Sequence, residues 1–367
     1  MRTRTSTRLV AAAATLFICL TYCAAHAEPY FAVREGMKCM NCHVSPSGGG
    51  MRNAVGNTWA QTALPQRHIE VPGVEPWTGA VNRYLSVGGN LRAGYAYTHV
   101  PSSTSVSEFD VEEVRAYLGV AVIPERLLLY VDELVAPGGA SNLEAYARYS
   151  TADQRWHVRA GQFYLPYGWR LEDDSAFVRQ VTGINFAAPD KGVEVGWESA
   201  AWTAQLAVTN GTASGPEEDH GKQFSLRAEH VQSAWRFGAG FNFNDADAGE
   251  RQMQGVFAGL RTGPIAWLAE ADYVVDDAFE DGRRRQWVGL LEGNWQFGPG
   301  QNLKVSAEYF EPDTDVDEDE QNRFSVVWEY VPFQFLQLRA GARLYDGIPQ
   351  NGLQNRRMYF ISAHGFF

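Results

Sequence analysis

Cys39, Cys42 and His43, within the stretch GMKCMNCHVSPSGGGM from residue 36 to residue 51, are the residues whose types and spacing most directly imply chemistry. Two cysteines separated by two residues can form a disulfide, half of a zinc site or a redox pair. The histidine that follows at once narrows the choice. Two thiols at this spacing can each bond one vinyl group of a haem, and the adjacent imidazole can then reach the iron from one face. Zinc would need two further ligands close by, and the other cysteines of the chain, Cys19 and Cys23, fall in an N-terminal export segment. The expectation is one covalent haem c, with Cys39 and Cys42 as thioether anchors and His43 as proximal iron ligand.

The opposite face of the iron has two candidates. Met51 follows Gly48-Gly49-Gly50, a turn that lets the chain fold back towards the iron, and His68 is the other histidine of the mature N-terminal segment. Met37 and Met40 stand too near the attachment point to reach that face. A five-coordinate iron is the third reading. The choice matters because Met/His ligation raises the haem potential.

These residues must be positioned by the elements around them. Residues 1–27 carry Arg2, Arg4 and Arg8, an apolar run and Ala25-His26-Ala27, the parts of a secretory signal. Tyr22 occupies a position where lipoprotein processing at Cys23 wants a small residue, so cleavage is expected after Ala27. Losing those three arginines and no acid takes the formal charge from −12 to −15, which excludes the basic footprint of a nucleic-acid binder. Residues 28–80 form the haem segment. A chain so short needs a cofactor, cross-links or a partner to hold it.

From residue 81 onward the pattern has period two. In QNLKVSAEYF, Leu303, Val305, Ala307 and Tyr309 alternate with Lys304, Ser306 and Glu308, and FQFLQLRAGARL and FSVVWEY behave likewise. About sixteen such strands fit between residues 84 and 367. Tight links at Pro124-Glu125-Arg126, Ser199-Ala200, Thr262-Gly263 and Pro332-Phe333 alternate with long polar ones at 166–190, 211–221, 276–284 and 311–321. Short turns on one side, long loops on the other and tryptophans at strand ends imply an all-β, antiparallel transmembrane barrel in residues 81–367. A soluble β-sandwich is the alternative for alternation alone. The terminal RRMYFISAHGFF resembles the C-terminal signal of bacterial outer-membrane proteins and ends on Phe367. This places both termini and the tight turns in the periplasm. Charged residues such as Arg115, Arg159, Glu194, Glu270 and Glu308 fall on the inward face and are expected to form cross-strand ion pairs in a wet lumen. His364 is expected to be a solvated histidine at the periplasmic rim.

With both halves in view, the chain resembles the fused monohaem cytochrome c–porin family of the bacterial outer membrane. CMNCH carries the resemblance at residue level, and the architecture carries it over the mature chain. Membership would imply extracellular electron transfer, notably Fe(II) oxidation, with lipid, an extracellular electron donor or acceptor and a periplasmic cytochrome c as partners. GQFYLPYGW, residues 161–169, is similar to a strand-ending run of phosphate-selective porins, though no dense basic ladder accompanies it. A haem held in the lumen would place a redox centre within an apolar band about 25 Å tall. The acidic loop DTDVDEDEQ, residues 313–321, and Asp276, Asp277, Glu280 and Asp281 can attract hard cations or simply repel neighbours. The competing expectation is a transport porin whose haem segment acts as plug or sensor. A third is a periplasmic cytochrome with a soluble β-domain.

Overall fold

Along β13 (Gln301–Glu311), Asn302, Lys304, Ser306 and Glu308 are buried while Val305 and Tyr309 are exposed. A soluble sheet has the opposite arrangement. Polar residues inside and apolar residues outside fit a sheet whose outer solvent is hydrocarbon. The computed structural model describes residues 28–184, 188–213, 215–217, 219–280 and 282–367. The signal segment, Cys19, Cys23 and Asp281 lie outside them.

Sixteen strands form one closed antiparallel barrel in sequence order. They are β1 (Leu85–His99), β2 (Val106–Ile123), β3 (Leu127–Ala136), β4 (Ser141–Ser150), β5 (Trp156–Phe163), β6 (Asp190–Glu198), β7 (Trp202–Thr209) and β8 (Gln223–Val231). The second half is β9 (Trp235–Ala246), β10 (Gly249–Thr262), β11 (Ile265–Asp276), β12 (Arg284–Gly298), β13, β14 (Gln321–Phe333), β15 (Leu336–Asp346) and β16 (Arg357–Phe366). Closure comes from β1 and β16, paired from Asn90↔Phe366 to His99↔Arg357. A closed ladder satisfies the strand backbones and leaves no edge, which a bilayer core demands. The soluble-sandwich alternative is thereby set aside.

The exterior carries exposed Leu91, Val195, Leu206, Phe237, Leu291, Val326 and Ile361. Exposed Trp156, Trp202, Trp235, Trp267, Trp295 and Trp328 all stand near the tight-turn end of their strands, forming one interfacial girdle. Inside, the expected ion pairs are present, among them Arg115 with Asp132, Arg159 with Glu194 and Arg323 with Glu308.

Two expectations about the lumen are corrected. The long connection after β5 does not project outward. Tyr164, Tyr167, Trp169, Leu171, Phe177 and Val178 are all buried, and the short helix α3 (Phe177–Thr182) packs on β11, β12 and β13. Its aromatic and aliphatic side chains gain more from burial than a solvated loop would permit. The inward wall is also not uniformly polar. Phe257, Ala266, Leu268, Val288 and Leu290 form an apolar patch with Tyr30, Val33 and Trp169. These wall positions receive the two segments that fill the lumen, residues 28–80 at the tight-turn end and residues 164–184 above them.

Within the first filling segment, α1 (Pro29–Glu35) begins with Pro29 and ends at Gly36, whose φ of 62° makes a left-handed cap. Tyr30 and Val33, one turn apart, bury together against the wall. A 3₁₀ turn spans Cys39–Asn41, and α2 (Ala54–Thr62) is capped by Asn53, which accepts from the Gly56 amide at 3.0 Å. Helices of seven and nine residues are too short to persist alone, so both depend on docking.

Candidate cofactor site

A ribbon builds the thiol–imidazole group. Gly48, Gly49 and Gly50 all have positive φ, at 85°, 67° and 61°, and reverse the chain within a few residues. The returning arm pairs His43 with Arg52, while the Val44 amide donates to the Met51 carbonyl at 2.9 Å and the Asn53 amide to the Cys42 carbonyl at 2.9 Å. Helix α2 then crosses so closely that a Cβ on Gly56 would lie 2.1 Å from the Cys42 carbonyl oxygen. Gly56→Val is therefore expected to push α2 off the ribbon at a cost of about 1–3 kcal/mol. Faster limited proteolysis within residues 28–80, with an unchanged barrel circular dichroism signal, would register it. Protection equal to wild type would refute the close packing.

Side chains of the wall and of the inward-folded connection hold the ribbon from around the barrel. The Tyr130 hydroxyl accepts from the Met51 backbone N–H at 2.9 Å. Arg148 donates to the Val44 carbonyl, Arg170 to the Gly48 carbonyl and Arg236 to the Met37 carbonyl. Lys38 pairs with Glu198 at 2.8 Å. At the start of this segment Glu28 pairs with Lys304 at 2.8 Å, and Tyr30 donates to Glu329 at 2.8 Å.

Between ribbon, α1, α2 and the wall lies a partly open cavity of about 110 Å³. Cys39, Cys42 and His43 all line it. Phe31, Trp59 and Trp169 supply aromatic walls, with Phe31 and Trp59 edge-on at 5.0 Å. Cys39 and Cys42 are free thiols. Burial pushes both thiols above the ordinary value, so they remain protonated and uncharged. Burial, with Arg52 and Arg170 nearby, lowers the pKa of His43 to about 3, which keeps its imidazole neutral as iron ligation requires.

The donor set suits a haem. Its porphyrin would meet the aromatic and aliphatic walls, its vinyl groups the two thiols and its propionates the lining guanidinium groups. Arg52 faces the cavity without a carboxylate partner among the described residues, and burial lowers its pKa from the usual guanidinium value. A buried cation of this kind suits an anionic group on the occupant.

The two candidates for the distal ligand do not line this cavity. Met51, 3% exposed, sits with Val44, Tyr117 and Tyr130 against the wall, where a Cβ on Gly119 would come within 2.8 Å of its Cε. The pairing explains this: Arg52 stands directly across from His43, so Met51, one residue earlier, points from the other face of the ribbon. His68 leaves its Nδ1 2.9 Å from the Gln61 carbonyl. His364, expected at a solvated rim, is instead 4% exposed and lines the cavity with His43. The correction follows from the plug: residues 28–80 cover the inward face at the tight-turn end, so a rim position on β16 becomes an interior one. Sequence reasoning also passed over Trp169, Arg170 and Glu172, because they come from a connection read as external.

The fold and site define the class first: a closed sixteen-stranded outer-membrane-type barrel with a thiol–imidazole cavity in its lumen. No family model and no curated protein matches the chain. Solved structures with this fold include OmpT of Vibrio cholerae with loop L8 deleted, described as an outer membrane protein, at 12% identity and TM-score 0.61, covering 77% of this chain and 99% of its own. The anion-selective porin from Comamonas acidovorans matches at 9% identity and TM-score 0.61, covering 77% and 99%. The outer membrane channel DcaP of Acinetobacter baumannii matches at 12% identity and TM-score 0.59, covering 77% and 97%.

Proposed function

We propose that this protein is an electron conduit of the bacterial outer membrane, carrying electrons between an extracellular donor and a periplasmic cytochrome c. One observation carries the reading: Cys39, Cys42 and His43 line one aromatic-walled cavity inside the barrel. A covalently attached haem c supplies a one-electron carrier within the insulating layer. Cys39 and Cys42 anchor it and His43 ligates the iron. Phe31, Trp59 and Trp169 exclude water, and Arg52 meets negative charge on the cofactor. The tight-turn end, where the plug sits, faces the periplasm in this orientation, and the long acidic connections face outward.

The test places purified, haem-loaded protein in sealed liposomes that enclose an oxidised cytochrome c, with ferrous iron added outside. Haem reduction followed by reduction of the enclosed cytochrome, both lost in His43→Ala, is the expected result. A haem that stays oxidised while the enclosed cytochrome is untouched would remove ferrous iron as donor and leave the conduit without its supporting measurement. The second reading, a solute porin with a haem-bearing plug, draws on the fold shared with the anion-selective porin and DcaP. Filling of the lumen by residues 28–80 and 164–184 argues against it. Single-channel conductance well below that of an open barrel of this strand number is expected, and a large steady conductance would favour the porin.

The outer connection between β13 and β14 gives a pH-dependent prediction. Partial burial and then the negative charge of Glu311 raise the pKa of Asp319 to about 6. Its ionisation is disfavoured in the folded loop, so the proton-bound form adds relative stability that is lost as pH rises from about 4 through about 6. A divalent cation competes with that proton. Manganous ion, as a redox-stable substitute for ferrous iron, should bind this face more weakly at pH 5 than at pH 7 by calorimetric titration, with the difference reduced in Asp319→Asn. Equal affinity at both values would rule out a role for Asp319.

A further inference from the structure

We propose that His364, on the inward face of β16, is the second axial ligand of the haem, so that the iron is held by His43 from the plug and by His364 from the barrel wall. The inference rests on the haem attachment proposed above and adds a ligand from a different part of the chain. Nitrogen and sulfur donors suited to haem iron are few in the cavity lining: Met37, the two anchoring thiols, His43 and His364. Lys38 also lines it, but its ammonium is occupied by Glu198 and by the Trp202 carbonyl at 2.8 Å. Met37 precedes the first anchoring cysteine by two residues, and Arg236 pins its carbonyl at 2.8 Å. The chain is thus fixed at the attachment point, on the side that already supplies His43.

A line of contacts joins the two imidazoles. His43 is paired with Arg52. The Arg52 guanidinium lies over the Phe366 ring at 4.6 Å, and Phe366 meets the His364 ring at 5.2 Å between centroids. His364 and Phe366 are both buried and two residues apart on β16, so they share the inward face. The His43 face of the ribbon therefore looks towards the part of the wall that carries His364.

The surroundings of His364 are those of a ligating histidine. Its Nδ1 lies 3.3 Å from Gln337 Oε1 and 3.1 Å from an Arg92 nitrogen. A guanidinium only donates, so in this arrangement Arg92, which also pairs with Glu172, gives an N–H to Nδ1; iron bound at Nε2 would shift the ring proton to Nδ1, and Gln337 Oε1 is the acceptor beside it. Metal-bound histidines use the second ring nitrogen for the iron and give the first to such an acceptor, which fixes tautomer and ring orientation. His364 would then bind through Nε2. One consequence is mechanical: the plug is tied to β16 by coordination, and it cannot leave the lumen without breaking an iron–nitrogen bond. Another is electronic, since bis-histidine ligation gives a lower potential than Met/His.

The test uses full-length, haem-loaded protein in detergent, with haem content measured separately as the pyridine haemochrome. The ferric wild type should be low-spin by electron paramagnetic resonance, with a bis-imidazole signature and no far-red methionine–iron band. His364→Ala should retain covalent haem but become high-spin, and added imidazole should restore the low-spin signal. His364→Met should gain the methionine band and a higher potential, while Met37→Leu should leave the wild-type spectrum unchanged. Heat-modifiable gel migration checks that each variant is a folded barrel. A wild-type methionine band, a high-spin wild type, or a low-spin spectrum that survives His364→Ala would each overturn the assignment while leaving haem attachment intact. Absence of covalent haem from the wild type would overturn haem attachment itself, and this inference with it.

Discussion

Replacing both Cys39 and Cys42 by serine is expected to abolish covalent haem and reduce transmembrane electron transfer to the protein-free background. No side chain elsewhere supplies thiols to the cavity, since Cys39 and Cys42 are the cysteines among the described residues. The loss should also be structural, but local. The plug's two helices are each under three turns and the cavity lies between them, so a bound haem would fill space that is otherwise empty interior. The barrel has its own closed hydrogen-bond ladder and needs no cofactor to complete it. Residues 28–80 should therefore become protease-sensitive while the folded band on an unboiled gel persists. Electron transfer at the wild-type rate in the double serine variant would sink the conduit reading. Loss of the folded barrel would instead show that plug and wall fold as one unit.

Much of this architecture was legible because two physical signals were strong. Strands facing lipid must alternate, so QNLKVSAEYF announced which of Lys304, Ser306 and Glu308 would point inward. β13 begins at Gln301, where QNLKVSAEYF begins, and β5 ends at Phe163, short of the connection expected from residue 166, because the chain turns into the lumen there. The CMNCH spacing likewise stands out because each residue type has its own chemical task. What failed was information carried by other elements. Whether a segment such as 164–184 points outward or folds inward depends on the wall it meets, and Leu268 and Phe257 on the inward face advertise that contact only after the strands are registered. Met51 was legible as reachable, but a single-residue shift in the ribbon decides which face it occupies. His364 is more than three hundred residues from His43 in sequence, and only barrel closure brings β16 beside the plug.

The plug's attachment has a second chemical consequence, at Lys304. Glu28 from the plug, Glu172 from the inward-folded connection and Glu329 from β14 bring carboxylate oxygens within 4.8 Å of one another. Three acids so arranged would ordinarily suit a divalent cation. Here the Lys304 ammonium supplies the positive charge, 2.8 Å from Glu28, 3.2 Å from Glu329 and 3.9 Å from Glu172, with Arg339 paired to Glu172 as well. Three segments distant in sequence meet on one lysine. Lys304→Ala leaves buried carboxylates facing each other, and breaking such a buried pair costs about 3–5 kcal/mol. The expected result is release of the plug's N-terminus, read as faster proteolysis before Cys39 and a lower unfolding midpoint of the plug. Lys304→Arg should recover part of the loss, since it restores the charge with a different reach. Calcium added to Lys304→Ala should also protect the plug, because the vacated position is ringed by hard oxygen donors. If Lys304→Ala is as protease-resistant as wild type without calcium, the three carboxylates are held apart by other contacts, and Lys304 does not fasten the plug to the wall.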